Sequence, residues 1–212
     1  KDSKVRDEQG RLLVVYHGSP VKNITAFNTD AAKSKTTKYQ LLLGTHFTTN
    51  KEYAEPYARK AIGTVGTSRH TNSYGSIYSV YLNIKNPLDL TPIKYIKEGE
   101  LLYDMFLELP AAARRDIKPY EIKREGPDVE ISNALGGYVG NVILPDFIGR
   151  ALDKTPPSEA RKIVEKYGFD GIKYYAIYGG NSLYQKSYTK DLSYIAFYPS
   201  QIKLTTNLNP TE

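Results

Sequence analysis

The sequence predicts an α+β protein, and three observations carry that expectation. Short apolar stretches with strand character lie near both ends of the chain, Leu12 to Tyr16 and Ser193 to Tyr198. One early helix is signalled by Thr49-Asn50 standing ahead of Lys51-Glu52-Tyr53-Ala54, a capping pair before a helix-forming run. From residue 91 to residue 166 the texture turns helical, so strands and helices are segregated along the chain instead of alternating. The 212 residues suit a single domain, 1–212, with a helical insertion over 91–166.

Composition narrows the chemistry. With 40% hydrophobic and 25% charged residues the chain can bury a core and keep a soluble surface. It has no cysteine, which excludes disulfides, thiolate zinc sites and a cysteine nucleophile, and no metal site is predicted. No apolar run approaches the ~18 residues that a membrane span needs, and no signal peptide precedes the first strand. Because the chain begins at Lys1, it reads as a piece of something longer. The net charge of +6 suits approach to phosphates or nucleic acid, and equally a solvated surface. Nineteen tyrosines with no tryptophan fit an aromatic-lined pocket, and fit a strand-rich fold as well.

In order, Glu8-Gln9-Gly10 reads as a turn before the first strand, Leu12 to Tyr16, which ends at His17 with Gly18-Ser19-Pro20 as the stop. Val21 to Phe27 reads as an irregular link with Ile24 and Phe27 turned inward, and Asp30 to Tyr39 as an exposed loop. Leu41 to Thr48 reads as a strand broken at Gly44. The helix from Lys51 places Tyr53, Tyr57 and Ala61 on one face at four-residue spacing. Gly63 to Tyr74 reads as a loop, Ser76 to Ile84 as a strand ended by Lys85-Asn86-Pro87, and Leu88 to Leu90 as a brief continuation. Within the insertion, 100–109, 131–134, 143–152 and 158–167 favour helix. Gly168-Phe169-Asp170-Gly171 turns the chain into a strand, Ile172 to Tyr178. Gly179 to Lys190 is a polar loop before the last strand.

Three separated segments then belong together. The first is Tyr16-His17-Gly18-Ser19. The second starts at Gly44, runs through His46-Phe47-Thr48, and reaches Tyr57 thirteen positions after the glycine. The third is Ser193-Tyr194-Ile195-Ala196-Phe197, followed by Gln201-Ile202. Together they resemble the ADP-ribosyltransferase superfamily, in the His-Tyr-Glu branch shared by diphtheria toxin and the poly(ADP-ribose) polymerases. Val5 to Gly10, Val80 to Leu88, Gly168 to Ile172 and Pro199 to Lys203 further resemble the ADP-ribosyltransferase modules of phage and prophage polyvalent proteins and of polymorphic toxins. The sequence departs from the pattern at His46, where a tyrosine is usual, and at Ser193, where the branch carries its catalytic glutamate.

The resemblance implies a split-sheet core and cleavage of the nicotinamide–ribose bond of NAD, the substrate, with transfer of ADP-ribose. It implies His17, Tyr57 and the position of Ser193 as catalytic, and Tyr16, His17, Gly18, Ser19, His46, Phe47, Thr48 and Tyr57 as NAD-binding. Gly18 would meet the carboxamide with its backbone, Tyr57 would stack on the pyridinium, and His17 would bond a ribose hydroxyl on the adenosine side. Ser193 supplies no charge. It marks an inactivating substitution, or a weak natural variant in which the substrate or Asp191 supplies a carboxylate, or a module that binds NAD without cleaving it. Gln201 sits at the strand exit, where a structural role is expected. The implied partners are a macromolecular acceptor, protein or nucleic acid, and a cognate immunity protein, with no membrane. The implied setting is the bacterial cytoplasm, as part of a larger phage or secreted polypeptide. NAD hydrolysis and nucleic-acid binding by the tyrosines and the positive charge stand as alternatives.

Overall fold

The computed structural model describes residues 2–27, 44–62, 69–91, 96–97, 101, 104–105, 108, 122–125, 128–131, 157–178 and 189–207. The strands are β1 (Val15–Ser19), β2 (Thr45–Thr48), β3 (Arg59–Ile62), β4 (Arg69–Tyr74), β5 (Ser76–Leu82), β6 (Pro87–Asp89), β7 (Ile96–Lys97), β8 (Ile122–Glu125), β9 (Asp128–Ile131), β10 (Gly171–Tyr178), β11 (Thr189–Ala196) and β12 (Ile202–Leu204). Helix α1 spans Lys51–Ala58 and α2 spans Pro157–Lys166.

Seven strands form one mixed sheet in the order β12-β5-β1-β2-β11-β10-β6. Every neighbouring pair is antiparallel except β10 with β6. The ladder between β1 and β2 is a single pair, Tyr16↔Thr48, whereas β1 stays in register with β5 from Val15↔Val80 to Ser19↔Ser76. The sheet is therefore loosely joined at its centre, beside His17 and Gly18.

One face of this sheet carries the main core. Val15, Phe47, Tyr78, Val80, Leu82, Tyr194 and Ala196 alternate onto it and meet Val5, Phe27 and Ile84 from outside the strands. Each such aliphatic side chain, fully buried, contributes on the order of 1.5–3 kcal/mol of transfer free energy. Phe27 comes inward from an irregular link with Ile24 beside it, and Tyr78 Oη bonds the link at Val21 O (2.8 Å).

The Gly-Phe-Asp-Gly turn has a structural explanation. The Asp170 carboxylate accepts the backbone N–H groups of Lys85 and Asn86, both at 2.8 Å, and Asn86 Nδ2 bonds Gly168 O at 2.9 Å. Gly168 has a φ of 86°, in the region that favours glycine. Gln201 completes the clasp. Its Oε1 accepts from Phe197 N and Tyr198 N, both at 2.9 Å, and its Nε2 donates to Asp170 O at 2.6 Å. Gln201 holds the exit of β11 against the turn that opens β10.

Several expectations are corrected. The first strand does not stop at His17. It runs through Ser19, because β5 pairs with it as far as Ser76. Helix α1 ends at Ala58, so Ala61 lies on β3 and not on the face of Tyr53 and Tyr57. Pro56 removes an N–H from the helical ladder, and the Ala58 carbonyl is taken by Gly75 N at 2.6 Å instead of a following helical N–H. The stretch expected as a loop up to Tyr74 contains β4, paired with β3. The last strand begins at Thr189, four residues before the expected start. The region 91–166 is not purely helical, for β7, β9 and β8 form a three-stranded antiparallel sheet in it, with Ile131 on a strand. The expected helix at 158–167 is α2. The expected loop at 30–39, residues 41–43, the expected helix at 143–152 and most of the loop at 179–190 lie outside the described residues.

Candidate active site

Alternation along the strands sorts the motif residues onto two faces. Tyr16, Thr48, Ser193 and Tyr174 are aligned across four strands, through Tyr16↔Thr48, Ser193↔Thr48 and Tyr174↔Ser193. Residues directly opposite share a face, so this row lies on one side of the sheet. Gly18, His46 and Asp191, each two positions from a member of the row, join it.

Helix α1 covers this face. A Cβ on Gly18 would collide with the backbone carbonyl of Ala54, so the glycine is needed for the helix to lie down on β1. That is a packing reason for Gly18 beyond the one expected, which was close approach of a ligand. Gly44 is similar, since a Cβ there would collide with the Ala196 carbonyl. The start of α1 is fixed by Thr49, whose N (2.9 Å) and Oγ1 (3.1 Å) both donate to Leu192 O on β11. Asn50 then caps the helix, its Oδ1 accepting Glu52 N at 3.0 Å, while its Nδ2 donates to Asp191 Oδ1 at 3.1 Å.

From α1, Tyr53 and Tyr57 project one turn apart. Their hydroxyls are 3.3 Å apart and their rings meet edge-on with centroids at 5.8 Å. Tyr57 is 52% exposed and offers an open aromatic surface. Burial, then the hydrogen bond to Tyr57, and then the electrostatics of Tyr57, Tyr174 and Asp191 push the Tyr53 phenol far above its ordinary range, so it stays protonated. On the floor, His46 Nδ1 bonds Tyr174 Oη at 2.9 Å, the two rings edge to face. Thr48 is buried and its Oγ1 accepts Asn50 N at 3.1 Å. Ser193 is 1% exposed, and its Oγ donates to the backbone oxygen of Asp191 at 3.3 Å.

The remaining expected residues face the other way. His17 points into the core side, edge-on to Phe27 at 5.4 Å and tilted against Phe47 at 5.5 Å. Its Nδ1 lies 2.8 Å from His46 O. A carbonyl only accepts, so Nδ1 carries the hydrogen and Nε2 is left with its lone pair. Burial holds the imidazole's pKa below its ordinary value, which keeps it neutral. Phe47 is 2% exposed in the core. Ser19 is buried, with Oγ accepting Val21 N at 3.2 Å in the turn after β1.

The structure thus gathers Tyr16, Gly18, His46, Thr48, Tyr57 and Ser193 on one face, and places the side chains of His17, Ser19 and Phe47 on the other. Tyr53, Asn50 and Tyr174 were not singled out by sequence as site residues. Tyr53 carried a signal, its four-residue spacing from Tyr57. Tyr174 carried none, because its place depends on pairing with a strand nineteen positions later in the chain.

A family model described as "ADP-Ribosyltransferase in polyvalent proteins" matches residues 7–212, nearly the whole chain and all three motif segments. The chain belongs to this family. No curated protein and no solved structure matches it. As an ADP-ribosyltransferase the protein is a transferase, and enzymes of this class draw ADP-ribose from NAD. Among the described residues of this ADP-ribosyltransferase there is no cluster of three or more His, Cys, Asp or Glu side chains that could hold a metal ion, and no helix long and apolar enough to cross a membrane.

Proposed function

We propose that the face of the sheet beneath α1 cleaves the nicotinamide–ribose bond of NAD and that ADP-ribose passes to a macromolecular acceptor, protein or nucleic acid. The observation that most supports this reading is the gathering of the Tyr53–Tyr57 pair, His46, Thr48 and Ser193 on the face that Gly18 leaves open to the helix. An electron-rich ring that is half exposed suits a cationic pyridinium, and Tyr57 has that surface. Tyr53 holds the edge of that ring, and Tyr174 fixes the orientation of His46 on the floor. His17 supports the site from the opposite face, where its Nδ1 holds the His46 carbonyl.

In the reaction the bond from the ribose C1′ to the pyridinium nitrogen breaks, and its electron pair leaves with neutral nicotinamide. Cationic character develops on the sugar, as in glycoside hydrolysis. The acceptor bonds to C1′ and gives up a proton to solvent. In the organism we assign the chain to a toxin module of a larger phage or bacterial polypeptide acting in the bacterial cytoplasm and restrained by an immunity protein.

The test is incubation with NAD labelled in its adenylate half, in the presence of bacterial lysate. The expected result is release of nicotinamide together with a labelled macromolecule, both increased in Ser193→Glu. Nicotinamide release with no labelled product would replace the acceptor with water. Failure of both the native chain and Ser193→Glu to release nicotinamide would end the NAD-cleaving reading.

A further inference from the structure

We propose that the Asp191 carboxylate is the catalytic anion of this site, positioned by Asn50, and that it supplies the charge that Ser193 lacks. The inference rests on the NAD-cleaving reading and deepens it. Ser193 is doubly unsuited to the task. It is uncharged, and its hydroxyl is turned back to the Asp191 carbonyl instead of outward. Asp191 lies two positions earlier on β11, on the same face, about 7 Å along the strand. Among the described residues of the seven strands it is the one carboxylate on that face. Asp89, the other acid in those strands, pairs with Lys173 on the opposite side, at 2.7 Å.

Asp191 is also held in place. Asn50 Nδ2 takes one of its oxygens at 3.1 Å, and Asn50 cannot swing away without giving up the helix cap it makes through Oδ1. Tyr53, hydrogen-bonded to Tyr57, feels the Asp191 carboxylate electrostatically. A carboxylate fixed before the reaction stabilises a developing cation without reorganising, which is where enzymes gain most from electrostatics. In the step, Asp191 acts through its place and takes no proton from the acceptor. It faces the ribose as the C1′–N bond breaks and the electron pair departs with nicotinamide, while the proton of the acceptor, or of water in hydrolysis, goes to solvent.

The experiment measures nicotinamide release and NAD binding by calorimetry for the native chain, Asp191→Asn, Asn50→Asp and the double variant Asp191→Asn with Ser193→Glu. Asn50→Asp keeps a good N-cap but replaces the N–H donor with a second negative charge, so it disturbs Asp191 without unwinding α1. The proposal expects Asp191→Asn to lose about a hundredfold or more in the release rate, with NAD binding within about threefold of native. It expects Asn50→Asp to lose about tenfold at an unchanged melting temperature, and Ser193→Glu to restore much of the rate to Asp191→Asn. Release by Asp191→Asn within about threefold of native would overturn the proposal and leave the NAD reading standing. Equal losses of rate and binding would also overturn it, since Asp191 would then be a ground-state contact. A native chain that neither binds NAD nor releases nicotinamide would remove both readings together.

Discussion

The two faces of the central sheet divide the labour of the same few residues. His46 and Phe47 are neighbours in sequence, yet one bonds Tyr174 beneath α1 and the other packs with His17 and Phe27 in the core. The same split runs through Tyr16-His17-Gly18-Ser19 on β1 and Leu192-Ser193-Tyr194 on β11. A motif on a strand therefore reports two things at once. Alternate positions describe the site, and the positions between them describe the wall behind it.

The largest expected effect comes from the core face. Phe47→Ala should cost about 3–5 kcal/mol of stability, the usual range for removing a buried aromatic ring. Urea denaturation measures it, and a loss below about 1 kcal/mol would mean that the ring is not packed as described. Beneath the helix the balance reverses. Tyr57→Ala removes a half-exposed ring, so stability should stay within about 0.5 kcal/mol of native, while nicotinamide release falls about tenfold or more through the lost cation–ring contact. Equal rates in the two proteins would detach Tyr57 from the site.

The smallest effect concerns His17, on the core face. His17 is partly buried and neutral, and its folded-state pKa lies below the ordinary value of 6.5. On unfolding the ring returns to its ordinary value, so between the two values the unfolded chain binds more protons. The stability His17 contributes is complete above the unfolded value and is lost as the pH falls through the folded one. His17→Gln should therefore show a shallower loss of stability than the native chain between about pH 7 and pH 5. A parallel pH dependence in the two proteins would place the ring in water.

What could be read from sequence follows from how local each signal is. Tyr57 was reachable because a helix start, a four-residue period and a fixed distance from Gly44 all lie within one short segment. The Asp170 turn and Gln201 were legible as motif residues, but not their mutual hydrogen bonds, which join segments 31 positions apart. The early end of α1 was hidden because it depends on Gly75 capturing the Ala58 carbonyl. Helical periodicity also misdescribed Ile131, which pairs with Ile122 on a strand, since short apolar runs serve either structure. The assignment of Gly18 as a ligand contact drew on its lack of a side chain, and the structure supplies a second use for that gap, the carbonyl of Ala54.

The central claim is that NAD is cleaved on the face beneath α1. A crystal structure of the chain with nicotinamide or intact NAD tests it most directly. The account predicts the nicotinamide ring against Tyr57, on the side of the sheet that carries His46, Asp191 and Ser193. A ring seated on the Phe47 side, or away from α1 altogether, would contradict it.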